Sequence, residues 1–356
     1  MTPLEAELKR LIAVDGPMPL TQYMALCLTD PLHGYYVTRD PFGVGGDFTT
    51  APEISQMFGE LIGLWAASVW RQLGAPDRVH VVELGPGRGT LMADALRAAR
   101  IVPGFAAAAR IDLVETSPLL RQRQKAALEP FADRLAWHQH FAEVSGAPLI
   151  VIANEFFDAL PVHQTVRTPD GWHERMVGLD REGQLTLALH PEPLRGFEAT
   201  LSPSLRRAPL GAIREWRSDE LIVEIARRIV QARGVALIID YGAVESGLGD
   251  TLQAVGRHRP ASVLATPGEV DLTAHVDFAA LARAAAKTGA RVCDPLSQGA
   301  FLMRLGINAR AATLKAASPG RAREIDADLA RLTAGGAEGM GDLFKVIAIC
   351  DPQLGA

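Results

Sequence analysis

The apolar residues near the start of the chain recur at helical spacing. Thr2 and Pro3 open the first such stripe, over residues 3–12, as a typical N-cap followed by proline at the first helical position. A second short helix is expected over residues 21–28. After a glycine-rich segment, Thr50 and Glu53 predict the start of one long helix that ends at Gly74.

From residue 79 onward, short and almost continuous apolar runs alternate with helical segments. This alternation is typical of parallel strands covered on both faces by helices. Strands are predicted at residues 79–84, 111–114, 149–153, 235–239 and 344–350, and helices at residues 90–100, 118–128 and 219–232. Asp170-Gly171 and Glu182-Gly183 separate alternating segments and predict inserted antiparallel hairpins.

The pattern therefore predicts a Rossmann-like α/β fold with an N-terminal helical extension and inserted β-hairpins. We expect two regions. Residues 1–75 form the N-terminal helical region with its glycine-rich loop, and residues 76–356 form a Rossmann-like domain with an insertion at about residues 160–215.

The segment VVELGPGRGTLMADAL joins the first predicted strand to a helix and carries Gly85, Gly87 and Gly89 at alternate positions. Glycines let the backbone approach a nucleotide closely, and the helix N-terminus can face an anionic group. A dinucleotide fingerprint needs G-x-G-x-x-G, but Thr90 stands where the third glycine belongs. With Glu83 in front, E-x-G-x-G-x-G instead resembles the first motif of S-adenosylmethionine-dependent methyltransferases.

Further candidate cofactor ligands follow the strands. Glu115 ends the second strand, where a carboxylate can accept hydrogen bonds from both ribose hydroxyls of either a nicotinamide cofactor or S-adenosylmethionine. The segment GDFTTAPEIS is interpreted as a lid or wall over the cofactor, and Asp47 and Thr49 are its expected cofactor contacts. The full predicted set is Glu83, Gly85, Pro86, Gly87, Gly89, Glu115, Thr116, Asn154, Asp47 and Thr49.

Composition and charge narrow the class of protein. The formal net charge is −5 and the arginines are spread along the chain, so a nucleic-acid partner is disfavoured. Cys27, Cys293 and Cys350 form no CxxC pair, which fits a reducing compartment. His138 and His140 have no third ligand at suitable spacing, so no metal site is expected. Without an apolar run of membrane-spanning length or a signal-peptide pattern, we expect a cytoplasmic bacterial protein with no membrane insertion.

Several longer segments resemble one family. GDFTTAPEIS, NEFFDALPV (residues 154–162) and PGEVDLTAHVDF (residues 267–278) are similar to stretches specific to the MidA-like family, and the resemblance extends from about residue 20 to residue 347. One departure is Val255, where the family leads us to expect an aromatic residue, which puts a local packing or substrate contact in question.

The resemblance implies a class I methyltransferase fold with a mostly parallel sheet, an antiparallel last strand and S-adenosylmethionine as cofactor. Mitochondrial members of the family are complex I assembly factors that act as protein arginine methyltransferases. The resemblance therefore implies a protein substrate, the large hydrogenase-like subunit of respiratory complex I. The oligomeric state is not indicated.

Two carboxylates in NEFFDALPV are the candidate catalytic residues. Glu155 and Asp158 follow a strand at the edge of the sheet where open α/β folds bind ligands, and at i and i+3 they could share one cation. A guanidinium is planar and always charged, so carboxylates can orient it bidentately. Either residue could instead cap or bond the local backbone. Tyr241 is a candidate channel wall or core residue, and His275 a candidate base or, more simply, a helix cap.

Two other functions stay open from the sequence. One is a non-catalytic assembly factor that uses S-adenosylmethionine to stabilise a binding surface. The other is an NAD(P)-dependent oxidoreductase, which the missing third glycine weakens.

Overall fold

The computed structural model of the protein describes residues 1–39, 49–256, 259–336 and 339–354. The chain divides into two compact units. The first unit comprises Met1–Pro41, Asp158–Ser218 and Glu245–Asp277, and the second comprises Phe42–Phe157, Asp219–Val244 and Phe278–Ala356.

The α-helices of the described residues are α1 (Pro3–Asp15), α2 (Leu20–Thr29), α3 (Tyr35–Thr38), α4 (Ala51–Ile54), α5 (Gln56–Gln72), α6 (Thr90–Ala99), α7 (Pro103–Ala108), α8 (Pro118–Ala127), α9 (Phe197–Thr200), α10 (Glu220–Ala232), α11 (Phe278–Ala286), α12 (Gln298–Arg304), α13 (Ile307–Ala317) and α14 (Ala322–Thr333). Short 3₁₀ helices occupy Glu129–Arg134, Phe141–Glu143, Leu205–Arg207 and Pro319–Arg321. No helix in these described ranges combines the length and apolar character that a membrane span needs.

The strands of the described residues are β1 (Met18–Pro19), β2 (Val79–Leu84), β3 (Ala109–Val114), β4 (Leu135–His138), β5 (Leu149–Asn154), β6 (His163–Thr168), β7 (Gly171–Leu179), β8 (Leu185–Leu189), β9 (Ile213–Trp216), β10 (Gly234–Ala243), β11 (Gln253–Gly256), β12 (Arg259–Ala261), β13 (Asp271–Thr273), β14 (Val276–Asp277), β15 (Arg291–Val292), β16 (Leu296–Ser297) and β17 (Phe344–Cys350).

The second unit contains the central sheet, with strand order β15-β17-β10-β5-β2-β3-β4. The pairs β10·β5, β5·β2, β2·β3 and β3·β4 are parallel, and β17 runs antiparallel to β10. The mostly parallel sheet and the antiparallel last strand are therefore confirmed. Successive strands spread in opposite directions from β2 and β5, so the point where the strand order reverses lies between these two strands, where open α/β sheets bind ligands.

Helix α5 packs closely on α6 within the second unit. A Cβ added at Gly63 would lie 2.3 Å from the Ala95 carbonyl oxygen, and one at Gly59 would lie 2.7 Å from Asp94 Cβ. Because only glycine permits this approach, α5 belongs with the sheet. The N-terminal helices belong instead to the first unit, where Thr2 Oγ1 donates to the Pro267 carbonyl at 2.9 Å. The prediction placed a domain boundary near residue 75. In the structure, α1 and α2 belong to the first unit and α5 belongs to the second.

The helix predicted to run continuously from Thr50 to Gly74 is broken, and that prediction is wrong. Helix α4 ends at Ile54, and the side chain of the next residue, Ser55, accepts a hydrogen bond from Met57 N as the N-cap of α5. Thr50 makes no side-chain cap, and the Glu53 carboxylate accepts a hydrogen bond from Thr90 Oγ1 at 2.5 Å instead.

The first unit contains two small antiparallel sheets. One has the order β1-β7-β6-β9, with β8 paired to β7, and the other has the order β12-β11-β13. Asp170 and Gly171 connect β6 to β7, and Glu182 and Gly183 connect β7 to β8, so both predicted hairpins are confirmed.

Candidate functional site

The glycine loop between β2 and α6 has the backbone conformation that its sequence demands. Gly85, Gly87 and Gly89 have φ angles of +61°, +54° and +85°, which side-chain-bearing residues rarely adopt. A Cβ added at Gly85 would lie 2.8 Å from Phe156 Cδ2, and Gly89 is the N-cap of α6. The loop therefore needs glycine for both backbone angle and space, and it leaves the N-terminus of α6 open to a ligand.

Glu83 lies beneath this loop as a buried carboxylate. Glu83 is only 3% exposed, and its Oε2 atom has no hydrogen-bond partner within the described part of the chain. Burial, followed by the nearby charge of Glu115, raises the pKa of Glu83 to about 8. A buried acceptor without a donor is costly unless a ligand supplies one, so this oxygen fits an N–H or O–H donor of a bound molecule.

Glu115 follows β3 and is held from two sides. Its Oε1 accepts a hydrogen bond from Ser117 N at 2.8 Å, and its Oε2 accepts one from Gln124 Nε2 at 3.1 Å. Burial raises the pKa of Glu115, and these two hydrogen bonds oppose that rise. A carboxylate held from two sides has a defined orientation, as recognition of vicinal hydroxyls requires.

Asn154 and Glu155 stand at the end of β5, the strand next to β2. Asn154 Nδ2 donates to Glu155 Oε1 at 3.3 Å, whereas the buried Asn154 Oδ1 has no partner among the residues described. Glu155 has φ +50°, an uncommon value for a residue with a side chain, and its Oε1 also accepts a hydrogen bond from Ala51 N at 3.2 Å. This backbone conformation costs roughly 1 kcal/mol or more and is typical of functional sites.

One cleft in the second unit brings most of these residues together. It is lined by five of the predicted cofactor residues and one predicted catalytic residue, which are Glu83, Gly85, Pro86, Gly87, Asn154 and Glu155. The remaining lining residues lie in the predicted wall segment and the glycine-loop segment but were not singled out from the sequence as cofactor contacts; they are Thr50, Pro52, Glu53, Arg88, Thr90 and Leu91. Glu53 Oε2 lies 4.0 Å from Arg88 Nη1, so the carboxylate that is bonded to Thr90 also faces a cation.

Other predicted residues lie outside that lining. Gly89 and Glu115 are buried nearby in the same unit, whereas Thr116 and Thr49 are exposed. Asp47 lies outside the described residues. Asp158 belongs to the first unit.

Asp240, near the carboxyl end of β10, holds the neighbouring backbone in place. Its Oδ2 accepts hydrogen bonds from Phe156 N at 3.2 Å and Phe157 N at 2.9 Å, and its Oδ1 accepts one from Tyr241 N at 2.9 Å. The carboxylate thereby fixes the backbone that carries Asn154 and Glu155. The Tyr241 ring packs edge-on against Phe344, with ring centroids 5.4 Å apart.

Asp158 is buried in the first unit, at 6% exposure. Its backbone carbonyl accepts hydrogen bonds from Ala274 N at 3.1 Å and from Arg217 Nη2 at 3.1 Å. The pKa of Tyr36 is raised well above its usual range by burial and by the charges of Asp271 and Asp158. His275 N donates to a threonine hydroxyl, and its carbonyl accepts a hydrogen bond from Arg217.

Of the two histidines considered as metal ligands, His138 contacts a carboxylate that it shares with His80. His138 Nε2 and His80 Nδ1 each lie 2.8 Å from the buried Asp112 carboxylate. No group of three or more histidine, cysteine or acidic residues that could hold a metal ion occurs in the part of the chain that is described.

Comparison with known proteins gives this arrangement a family. Residues 61–296 match the family model Methyltransf_28, described as "Putative S-adenosyl-L-methionine-dependent methyltransferase". The chain is 35% identical to the mitochondrial protein arginine methyltransferase NDUFAF7 homolog of Drosophila melanogaster, over 99% of this chain and 86% of that protein. It is also 35% identical to mitochondrial NDUFAF7 of Homo sapiens, over 87% and 75%.

A solved structure is similar over nearly the whole chain. A COG1565 superfamily member from Burkholderia thailandensis, bound to S-adenosyl-homocysteine, superposes with a TM-score of 0.85 at 30% identity, covering 99% of this chain and 93% of that one. Together with the family match, this similarity confirms the methyltransferase fold and the cofactor inferred from the glycine loop. The chain therefore belongs to this family of S-adenosylmethionine-dependent methyltransferases.

Proposed function

We propose that the protein transfers a methyl group from S-adenosylmethionine to an arginine guanidinium of a protein substrate. The observation that carries the proposal is the Glu155 carboxylate, held at φ +50° in the same cleft as the glycine loop. The names of the relatives, protein arginine methyltransferases, support the choice of arginine.

The residues of the second unit fit the cofactor. The cofactor carries an ammonium group, and Glu83 Oε2 and Asn154 Oδ1 are buried acceptors that have no donor in the described ranges. We assign both to that group. We assign the ribose hydroxyls of the cofactor to Glu115. The backbone that approaches the cofactor closely is assigned to Gly85, Pro86, Gly87 and Gly89. Further cofactor contacts are assigned to Thr116, Asp47 and Thr49.

The proposed chemistry uses Glu155 to bind and orient the substrate. When bound, the cofactor supplies an electrophilic methyl group on its sulfonium. The guanidinium nitrogen donates the electron pair of the new C–N bond, the S–C bond breaks, and the substituted nitrogen then loses one proton. A carboxylate beside the guanidinium fixes its plane through charge-assisted hydrogen bonds and offers an oxygen to which the proton can pass. No covalent intermediate with the protein is needed.

Asp158 is the second carboxylate of the proposal. Its position three residues after Glu155 and its burial support a part in balancing the substrate's charge. Asp158→Asn tests this role separately, because it keeps the side-chain size and removes the charge. An unchanged KM and kcat in that variant would restrict the proposal to Glu155.

The proposed substrate is the large hydrogenase-like subunit of respiratory complex I. The support is the resemblance to the MidA-like family together with the relatives' assignment as NDUFAF7 proteins. We also propose a bacterial cytoplasmic location, which the three free cysteines support because disulfides are rare in reducing compartments.

The experiment is methyl transfer from labelled S-adenosylmethionine into a lysate of cells that lack the protein. Wild type, Glu155→Gln and the control Glu182→Gln, which changes an exposed hairpin residue, are compared at equal occupancy by labelled S-adenosylmethionine. We expect one labelled band with wild type and the control, and at least roughly a hundredfold less label with Glu155→Gln. Cofactor binding without any label from wild type would instead favour a non-catalytic assembly factor.

A further inference from the structure

Gln124 is a fully buried polar side chain in the middle of the second unit. It lies on α8 at 0% exposure, on the stripe that also contains the buried Leu120 and Leu128. A buried amide must have its hydrogen-bonding groups satisfied, or it costs the protein stability. Its partners therefore show what the amide is for.

The Gln124 amide joins three other elements. Its Nε2 donates to the Gly87 carbonyl at 2.8 Å and to Glu115 Oε2 at 3.1 Å, and its Oε1 accepts a hydrogen bond from Trp137 Nε1 at 2.9 Å. One side chain thus connects the glycine loop to Glu115, which follows β3, and to Trp137 in β4.

The orientation of this amide is determined by its partners. Gly87 and Glu115 present only acceptors, so both need the NH₂ group, whereas the Trp137 indole N–H can only donate. A flipped amide would set its oxygen against two acceptors and its NH₂ against a donor. Both amide hydrogens are committed, and neither can turn away without leaving a buried group unsatisfied.

The backbone of Gln124 also packs against the glycine loop. A Cβ added at Gly89 would lie 3.4 Å from Gln124 Cα, so the last glycine of the loop packs directly on α8. The link between loop and carboxylate is therefore short and rigid. Since Glu115 Oε1 is held by Ser117 N, the amide of Gln124 fixes the remaining oxygen.

We propose that Gln124 is a positioning residue that sets the Glu115 carboxylate, relative to the glycine loop, for recognition of the cofactor's ribose. The inference rests on the proposed role of Glu115 as the ribose acceptor. Gln124 itself touches Glu115 and the loop and not the reacting atoms, so it acts through the carboxylate. It determines selectivity for a ribosyl over a deoxyribosyl ligand.

The test measures discrimination between two ligands by calorimetry. S-adenosyl-homocysteine and its 2′-deoxy analogue differ only in one of the two ribose hydroxyls that Glu115 is proposed to hold, so the ratio of their Kd values isolates the contact with that hydroxyl. The variants are Gln124→Leu, Trp137→Phe and Glu115→Gln. Gln298→Leu is the matched control, because Gln298 is another fully buried glutamine on a helix, with a hydrogen bond only to the Leu332 carbonyl in the described residues.

We expect Gln124→Leu to weaken S-adenosyl-homocysteine binding roughly tenfold and to lower the ribose-to-deoxyribose ratio by a similar factor, which Gln298→Leu should leave unchanged. Trp137→Phe frees the amide oxygen and should lower the ratio by a smaller factor. If Gln124→Leu does not fold, Trp137→Phe decides.

Two outcomes distinguish a failure of the role proposed for Gln124 from a failure of the role proposed for Glu115. A wild-type ratio in Gln124→Leu and Trp137→Phe, with a reduced ratio in Glu115→Gln, would overturn the role of Gln124 and leave the cofactor assignment intact. A wild-type ratio in Glu115→Gln would show that Glu115 does not hold the ribose, and both assignments would fall.

Discussion

The buried Glu83 carboxylate makes the stability of the protein depend on pH, and Glu83→Gln should remove that dependence. Burial raises the pKa of Glu83 to about 8 in the folded protein, against an ordinary value of 4.5. The folded state therefore binds this proton more tightly than the unfolded state. The stability that this provides is fully present below about pH 4.5 and is lost as pH rises through about 8.

The magnitude follows from the pKa difference. Each unit corresponds to about 1.4 kcal/mol, so the complete penalty above pH 8 is about 5 kcal/mol. About half of this penalty develops in a pH range that is convenient for unfolding experiments. Between about pH 6 and about pH 8.5 the penalty grows by roughly 2.5 kcal/mol, because the folded state must give up a proton that the unfolded state has already lost.

The assay is urea unfolding of the wild type and of Glu83→Gln at those two pH values, without cofactor. Other titrating groups are shared, so the difference between the two proteins isolates Glu83. The variant should gain about 2.5 kcal/mol on the wild type as pH rises. A gap that stays constant within about 0.5 kcal/mol would refute the account of Glu83 as a buried carboxylate that is protonated near neutral pH.

Two further substitutions test the geometry of the cleft. Gly85→Ala should weaken S-adenosyl-homocysteine binding by more than about tenfold, because the φ of +61° and the Phe156 ring 2.8 Å from the new Cβ both oppose a side chain. Gly16→Ala is its control, since φ is +86° there but nothing lies within 4 Å of the added Cβ, and it should leave binding unchanged. Equal effects of the two substitutions on the calorimetric Kd would contradict the proposed close approach of the glycine loop to the cofactor. Asp240→Asn should cost about 3 kcal/mol in urea unfolding, because a single amide oxygen cannot accept all three backbone N–H groups that the carboxylate now accepts. A loss under about 1 kcal/mol would mean that this carboxylate does not hold the loop after β5.

The central sheet could be predicted from local pattern because its strands are buried on both faces. The prediction for β2 matched its bounds of Val79–Leu84, and β17 was found at Phe344–Cys350. The break at Ser55 could not be predicted, because Glu53 bonds to Thr90, and that partner is 37 positions away. The N-terminal helices were assigned to a region of their own because contacts between residues distant in sequence cannot be read from local pattern. Their partners, such as Pro267, are distant in sequence.

For the candidate site, sequence reasoning located what lies at the strand ends. Glu83, Gly85 and Asn154 line one cleft because parallel strands deliver their carboxyl ends to one edge. Gln124 was overlooked, since in LLRQRQKAAL it is one polar residue among several. Its position on the stripe of Leu120 was the available signal. The roles of all these residues in binding and transfer stay predictions.

The most direct measurement is the identity of the residue that receives the methyl group. Labelled protein from the transfer reaction is hydrolysed, and the labelled amino acid is separated and identified by mass spectrometry, for the wild type and for Glu155→Gln. The account predicts labelled methylarginine from the wild type, and almost none from the variant even though it still binds S-adenosyl-homocysteine. Label on another amino acid, or undiminished methylarginine from Glu155→Gln, would contradict it.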